Sequence, residues 1–177
     1  SLVEYKVLSV KMKQIGELDV NDPFFKSLIE DYEGIKFINW FNKKNTEQAY
    51  VFEDKTGLQG FLYLKVEDEF EDFSDYNPIL LPKKRLKVGT FKVNSTGFRL
   101  GERFLKIIFD NAKKNKVDEI YVTLFEDKRD EVIRLRDLMM DWGFYKFGKK
   151  ISNGESVFVK DMKNYNPEKT AAAIYKG

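Results

Sequence analysis

Apolar and polar residues alternate from Tyr5 to Met12, and this pattern predicts a first strand. Asn21-Asp22-Pro23 is a helix-start signal, and Phe24, Phe25, Leu28 and Ile29 follow at helical spacing. A second short helix is predicted over Ile35 to Asn42, with Phe37, Ile38, Trp40 and Phe41. Two strands, Gln48 to Glu53 and Leu58 to Val66, flank Asp54-Lys55-Thr56-Gly57, which reads as the tight turn of an antiparallel hairpin. Glu67 to Lys84 loses the alternation: acidic residues interleave with Phe70, Phe73 and Tyr76, and Pro78 and Pro82 follow. This stretch predicts a long loop or an insertion containing a short helix. Arg85 to Asn94 is a fourth strand, and Phe98 to Asn115 carries the clearest helical stripe, through Leu100, Phe104, Ile107, Ile108 and Ala112. Glu119 to Leu124 is a buried fifth strand. Asp127 to Asp141 is a further helix, ended by Gly143 as a left-handed cap. Phe144 to Ile151 and Glu155 to Met162 close the pattern as a hairpin. The order β-α-α-β-β-β-α-β-α-β-β belongs to a mixed α/β domain.

Composition narrows the chemistry more than the fold. The 177 residues, 42% of them hydrophobic, suit one domain with a sizeable core. That domain is expected to span residues 1–163. Residues 164–177 lack periodicity and read as a tail, or as a linker to a further C-terminal domain. No apolar run approaches the roughly 18 residues that cross a bilayer. The opening residues read as strand rather than as a secretion leader, so a cytoplasmic location is expected. The 31 basic and 29 acidic residues nearly balance, which argues against a nucleic-acid partner. The chain has no Cys and no His. Thiol nucleophiles, histidine bases and His- or Cys-ligated metals are therefore excluded, and no metal is expected. Carboxylates, Tyr, Lys, hydroxyls and backbone dipoles remain, an inventory suited to direct transfer from an activated donor.

The informative unit is a strand, a turn of small residues, a long helix and a strand. The turn is Thr96-Gly97-Phe98-Arg99-Leu100-Gly101. The first N–H groups of a helix have no internal partner, and its dipole adds partial positive charge there. A phosphate at this helix start would be stabilised by backbone alone, with Gly97 and Gly101 allowing close approach. The bland alternative is a helix capped by Ser95 or Thr96, its glycines serving tight packing.

On these residues the chain resembles the GNAT acetyltransferase superfamily. The segment from Lys87 to Leu105 is similar to that family's Arg/Gln-x-x-Gly-x-Gly/Ala signature after the fourth strand. Leu138 to Phe144 resembles its Leu-Tyr-x-x-x-Gly-Phe ending, and the likeness runs from about Tyr5 to Met162. The resemblance implies a mostly antiparallel sheet of six or seven strands, with helices on both faces and a splayed parallel pair formed by the fourth and fifth strands. It implies acetyl-CoA or another acyl-CoA as cosubstrate and an amine acceptor, with acyl transfer occurring directly in a ternary complex. The pantetheine would pair with backbone at Phe91, Lys92 and Val93. The pyrophosphate would meet Thr96, Gly97, Phe98, Arg99, Leu100, Gly101 and Glu102. A homodimer is compatible with sheets of this kind.

Three positions depart from the family pattern. Thr96 replaces Arg or Gln, Arg99 replaces the middle Gly, and the Asn often found before the Asp127–Asp141 helix is missing. A further substitution bears on catalysis: Met139 stands where many members carry the Tyr that protonates the departing thiolate. Tyr121 and Tyr145 are the candidate replacements for that acid. Glu67, Asp68 and Glu69 are candidate bases for the amine. The acidic stretch reads either as an entrance for a cationic acceptor or as a solvated edge. Two basic runs, Lys83-Lys84-Arg85 with Lys87 and Lys146 with Lys149 and Lys150, are candidates for the 3′-phosphate or for RNA. Two other readings stay open: a catalytically silent CoA- or partner-binding module, and an acyltransferase acting on aminoacyl-tRNA.

Overall fold

A computed structural model describes residues 10–94 and 98–163. The strands hydrogen-bond in the order β1-β2-β3-β5-β6-β8-β7-β4, an open sheet that is antiparallel except at β5–β6. The chain divides into two compact units. The first takes residues up to Tyr63 together with Phe91–Thr96, and the second takes Leu64–Thr90 and everything from Gly97.

In the first unit, β1 (Lys11–Gln14) pairs antiparallel with β2 (Gln48–Asp54), Lys11 opposite Val51 and Gln14 opposite Gln48. The strand therefore runs two residues beyond its expected end at Met12, because Lys13 and Gln14 find partners on β2. Residues 5–9 of the expected strand lie outside the described residues. β2 turns into β3 (Gly57–Glu67) at Gly57, whose φ of +119° is the left-handed conformation the sequence implied. The Asp54 carboxylate fixes that turn by accepting from the Thr56 amide at 2.8 Å. Asp22 accepts from the Phe24 amide at 2.9 Å and starts a 3-10 turn that leads into α1 (Lys26–Asp31). α2 (Ile35–Lys43) follows. The core of this unit is aromatic. Phe25 stands edge-on to Phe41 at 5.2 Å and to Phe61 at 5.5 Å, with Phe24, Phe37, Val51 and Tyr63 around them.

In the second unit, β5 (Arg85–Val93, of which Arg85–Thr90 lie here) runs parallel to β6 (Glu119–Leu124). A parallel neighbour needs a crossover, and the 17-residue helix α3 (Phe98–Lys114) supplies it. α4 (Asp130–Asp141) leads to β7 (Tyr145–Lys150) and β8 (Ser156–Asp161). It starts three residues later than the pattern implied, because Arg129 is extended and acts as the cap residue. Gly143 has a φ of +98°, as the cap assignment requires. α3 and α4 lie side by side. A β-carbon on Gly101 would come within 2.7 Å of the Leu138 Cδ2, and Phe109 meets Trp142 at 5.5 Å. Strand alternation places Leu86, Val88, Ile120 and Val122 on one face and Lys87 and Tyr121 on the other.

The Tyr121 face is covered by the stretch after β3. That stretch contains no helix, only the two-residue strand β4 (Tyr76–Asn77), which pairs with Lys149 and Lys150 of β7 and raises the strand count to eight. Asp68 accepts from the Phe70 amide and Asp72 from the Ser74 amide, both at 2.9 Å. These local bonds take backbone donors that a helix would have used. Phe73, Tyr76 and Leu80 then fold inward onto Tyr121, Val157 and Val159. Among the described residues, no helix is long and apolar enough to cross a membrane.

Candidate functional site

The register of β5 with β6 ends at Val88 opposite Val122, although β5 continues to Val93 and β6 to Leu124. On its other side β6 pairs with β8 along its whole length, Thr123 and Leu124 with Val157 and Ser156. β5 and β6 thus share only their first four residue pairs, and the hydrogen-bonding edge of β5 that faces β6 is released from Gly89 onward. This matches the splayed pair implied by the sequence resemblance.

The last pair but one, Lys87 opposite Tyr121, carries the polar chemistry. Tyr121 is 1% exposed and its hydroxyl donates to the Oε1 of Glu67, which is 3% exposed at the end of β3. The rings of Phe73 and Tyr76 stand edge-on to Tyr121 at 5.5 and 6.2 Å. Lys65 approaches Glu67 at 3.8 Å from the solvent side, and Lys87 is half-buried.

Burial pushes the Glu67 carboxyl above its ordinary range. The Tyr121 hydrogen bond and the Lys87 ammonium pull in the other direction. Burial, and then the bond to Glu67, hold the Tyr121 phenol far above its ordinary value, so it stays protonated. Tyr76 is likewise raised, first by burial and then by the charge of Glu67. Burial lowers the Lys87 amine, partly offset by Glu67 and reinforced by Lys150 and Lys65. The site therefore joins a carboxylate with strengthened basicity to a neutral phenol. That pairing can accept a proton at one atom and release one at another.

The sequence candidates separate clearly. Glu67 and Tyr121 are brought together. Tyr145 is 49% exposed and stands opposite Val159, which stands opposite Tyr121, so roughly 10 Å of sheet separates the two tyrosines. Glu69 is exposed, and Asp68 is exposed and held in its local turn. Met139 is fully buried.

Of the phosphate-turn residues, Thr96 and Gly97 lie outside the described residues. Phe98, Arg99, Leu100, Gly101 and Glu102 form the first turn of α3, with Arg99 exposed and Leu100 buried. Gly101 packs toward Leu138, so its lack of a β-carbon serves the helix contact. On β5, Phe91 is half-buried and Val93 buried. The Lys92 ammonium donates to the Phe24 carbonyl at 2.5 Å and the Ser27 hydroxyl at 2.6 Å, leaving its backbone as the part that could meet a ligand.

In the first basic run Arg85 turns inward while Lys84 stays exposed. Arg85, 1% exposed, donates to Glu119 at 2.9 Å and lies 4.9 Å from the Phe73 ring centre. Lys83 reaches Glu119 at 3.4 Å, and Lys84 donates to the Asn115 carbonyl at 2.6 Å. In the second run, Lys146 binds Glu126 at 2.8 Å, and Lys150 lies 3.9 Å from Glu155.

Sequence reasoning offered Lys87 as a phosphate or RNA contact and Tyr76 as part of an entrance, and did not bring either beside Glu67 and Tyr121. The available signal was Lys87 set between Leu86 and Val88, where alternation gives it the face opposite theirs.

No family model matches this sequence, and no curated protein matches it. Solved structures do. PH1933 from Pyrococcus horikoshii OT3 superposes with a TM-score of 0.57 at 20% identity, covering 87% of this chain and 99% of that one. A GNAT-family acetyltransferase from Listeria monocytogenes 4b F2365 gives 0.56 at 17%, covering 88% and 96%. Chaetomium thermophilum Naa20, solved with a bisubstrate analogue, gives 0.56 at 16%, covering 88% and 87%. The chain has the fold of the GNAT acetyltransferases.

Proposed function

We propose that this protein is an acyl-CoA-dependent N-acyltransferase, acetyl being the simplest acyl group, which transfers directly to an amine acceptor in a ternary complex. The observation that carries this reading is a coincidence of position. β5 leaves β6 after Val88 opposite Val122, and the buried Glu67–Tyr121 pair sits one residue pair earlier. The fold agrees, and Naa20, a neighbour in that fold, was solved with a bisubstrate analogue.

The released edge of β5 would hold the pantetheine through backbone at Phe91, Lys92 and Val93. The amides at the start of α3, from Thr96 and Gly97 to Glu102, would hold the pyrophosphate. When bound, the cosubstrate supplies an acyl group already activated as a thioester. The acceptor ammonium gives one proton to solvent to become the free amine, and as the N–C bond forms Glu67 takes the second at its carboxylate, directly or through one water. Tyr121 Oη releases its proton toward the leaving side and regains one from Glu67, so no charge accumulates in the buried pair. The phenol thereby does the work for which Met139 has no proton. Phe73 and Tyr76 hold the Tyr121 ring and exclude water from behind it.

Titration calorimetry with acetyl-CoA, followed by free-thiol release across an amine panel, tests this. Absence of binding at millimolar acetyl-CoA sinks the reading. Binding, with turnover that falls by about 100-fold or more in Glu67→Gln, supports it.

A further inference from the structure

Resting on that reading, we infer that the protein acylates itself at Lys87: the chain's own lysine is an acceptor for the thioester it binds. Lys87 lies on β5 two residues before Gly89, where β5 leaves β6. Alternate residues of a strand face the same side and are roughly 6.6 Å apart, a span comparable with the four-carbon stem of lysine. A lysine stem is therefore long enough to span from Lys87 to the level at which the released edge begins. Lys87 lies on the face that carries Tyr121 and Glu67, the two groups that move protons.

The surroundings of Lys87 make the free amine easier to reach. Burial disfavours its charged form, and Lys150 on β7 and Lys65 on β3 add like charge. Glu67 and, more weakly, Glu155 oppose them, while the neighbouring Tyr121 and Tyr76 phenols remain neutral. A neutral amine is the nucleophile that thioester aminolysis needs.

The step balances. Lys87 loses one proton to solvent to become the free amine. The N–C bond then forms, the C–S bond breaks, and the second amine proton passes to Glu67. The departing sulfur takes one proton to leave as the free thiol. The product is a neutral amide in place of an ammonium. Its formation removes the cation that favours ionised Glu67.

The test uses the full chain incubated with acetyl-CoA and no added acceptor. Acetyl occupancy at every lysine is followed by peptide mass spectrometry, with calorimetry on the same preparation. Lys87 is expected to label ahead of all other lysines, at a rate independent of protein concentration. Glu67→Gln, which keeps a neutral side chain of the same shape, is expected to slow Lys87 labelling by about 100-fold. Equal labelling by S-acetyl-N-acetylcysteamine, a thioester without the nucleotide, would mark adventitious chemistry and overturn the inference. Calorimetric binding with Lys87 no more labelled than Lys65 overturns it too, and leaves the acyltransferase reading standing. Absence of binding removes both.

Discussion

Replacing Tyr121 by Phe removes one oxygen atom from the core and leaves Glu67 buried without its donor. A hydrogen bond to a charged group contributes about 1.5–3 kcal/mol. The loss should be felt nearly in full, because Glu67 is almost inaccessible to water and Lys65 remains at 3.8 Å. The cost depends on pH in a definite direction. Glu67 already titrates above its ordinary value near 4.5, and its bond to Tyr121 is what limits the rise. A carboxyl raised on folding binds its proton more tightly in the native state, so stability falls as pH climbs from the unfolded value through the folded one. Removing the phenol raises the folded value further and widens that window. Tyr121→Phe should therefore cost the most at pH 8 and progressively less as pH falls and Glu67 gains its proton in the variant. For a chain of this size the loss at pH 8 corresponds to a fall of roughly 4–10 °C in Tm. Glu67→Gln makes the opposite test: it removes the buried charge, keeps an acceptor for the phenol, and should stabilise the protein at pH 8 while abolishing turnover. Urea unfolding followed by tryptophan fluorescence at pH 5 and pH 8 reads both variants. A Tyr121→Phe penalty that does not change with pH, or a Glu67→Gln chain less stable than wild type at pH 8, would refute the reasoning.

Gly148→Ala should detach β4 from β7, because the new β-carbon would lie 2.4 Å from the Asn77 carbonyl oxygen and 2.6 Å from Pro78 Cδ. A cost of about 1–3 kcal/mol, with faster exchange of the Ile151 amide, which donates to the Asp75 carbonyl at 2.7 Å, is the expected result. Arg85→Ala leaves Glu119 buried with only Lys83 nearby. It should cost about 3–5 kcal/mol in urea unfolding, and Arg85→Met with Glu119→Leu should recover most of the loss. Phe25→Ala removes the ring that Phe24, Phe41 and Phe61 pack against, and about 3–5 kcal/mol of stability should go with it.

How far this molecule can be read from its residues depends on whether the deciding interactions are local. Hairpins, helix starts and caps are local: Asp22 before Pro23, Gly57 after Asp54 and Gly143 after α4 act where the sequence places them. The splay of β5 from β6 came from resemblance, since alternation in Arg85–Val93 shows no break at Val88. The Glu67–Tyr121 pair joins residues 54 positions apart, and nothing near Glu67 distinguishes it from the exposed Asp68 and Glu69.

The separation of those three acidic residues has a physical cause that composition hides. β3 alternates faces up to Glu67, and the strand ends there. Glu67 is thus the last side chain aimed at the sheet face, and Asp68 is the first to be used in a turn. The next inward residue is Phe73, whose ring rests on Tyr121 and lies against the buried Arg85 guanidinium. An apolar residue at position 67 would fit the burial equally well, and at neutral pH it would avoid the cost of a buried charge. The fold therefore carries a carboxylate that stability alone does not require, bonded to a phenol beside the point where two parallel strands part. That excess cost is the strongest reason to assign Glu67 to chemistry rather than to packing.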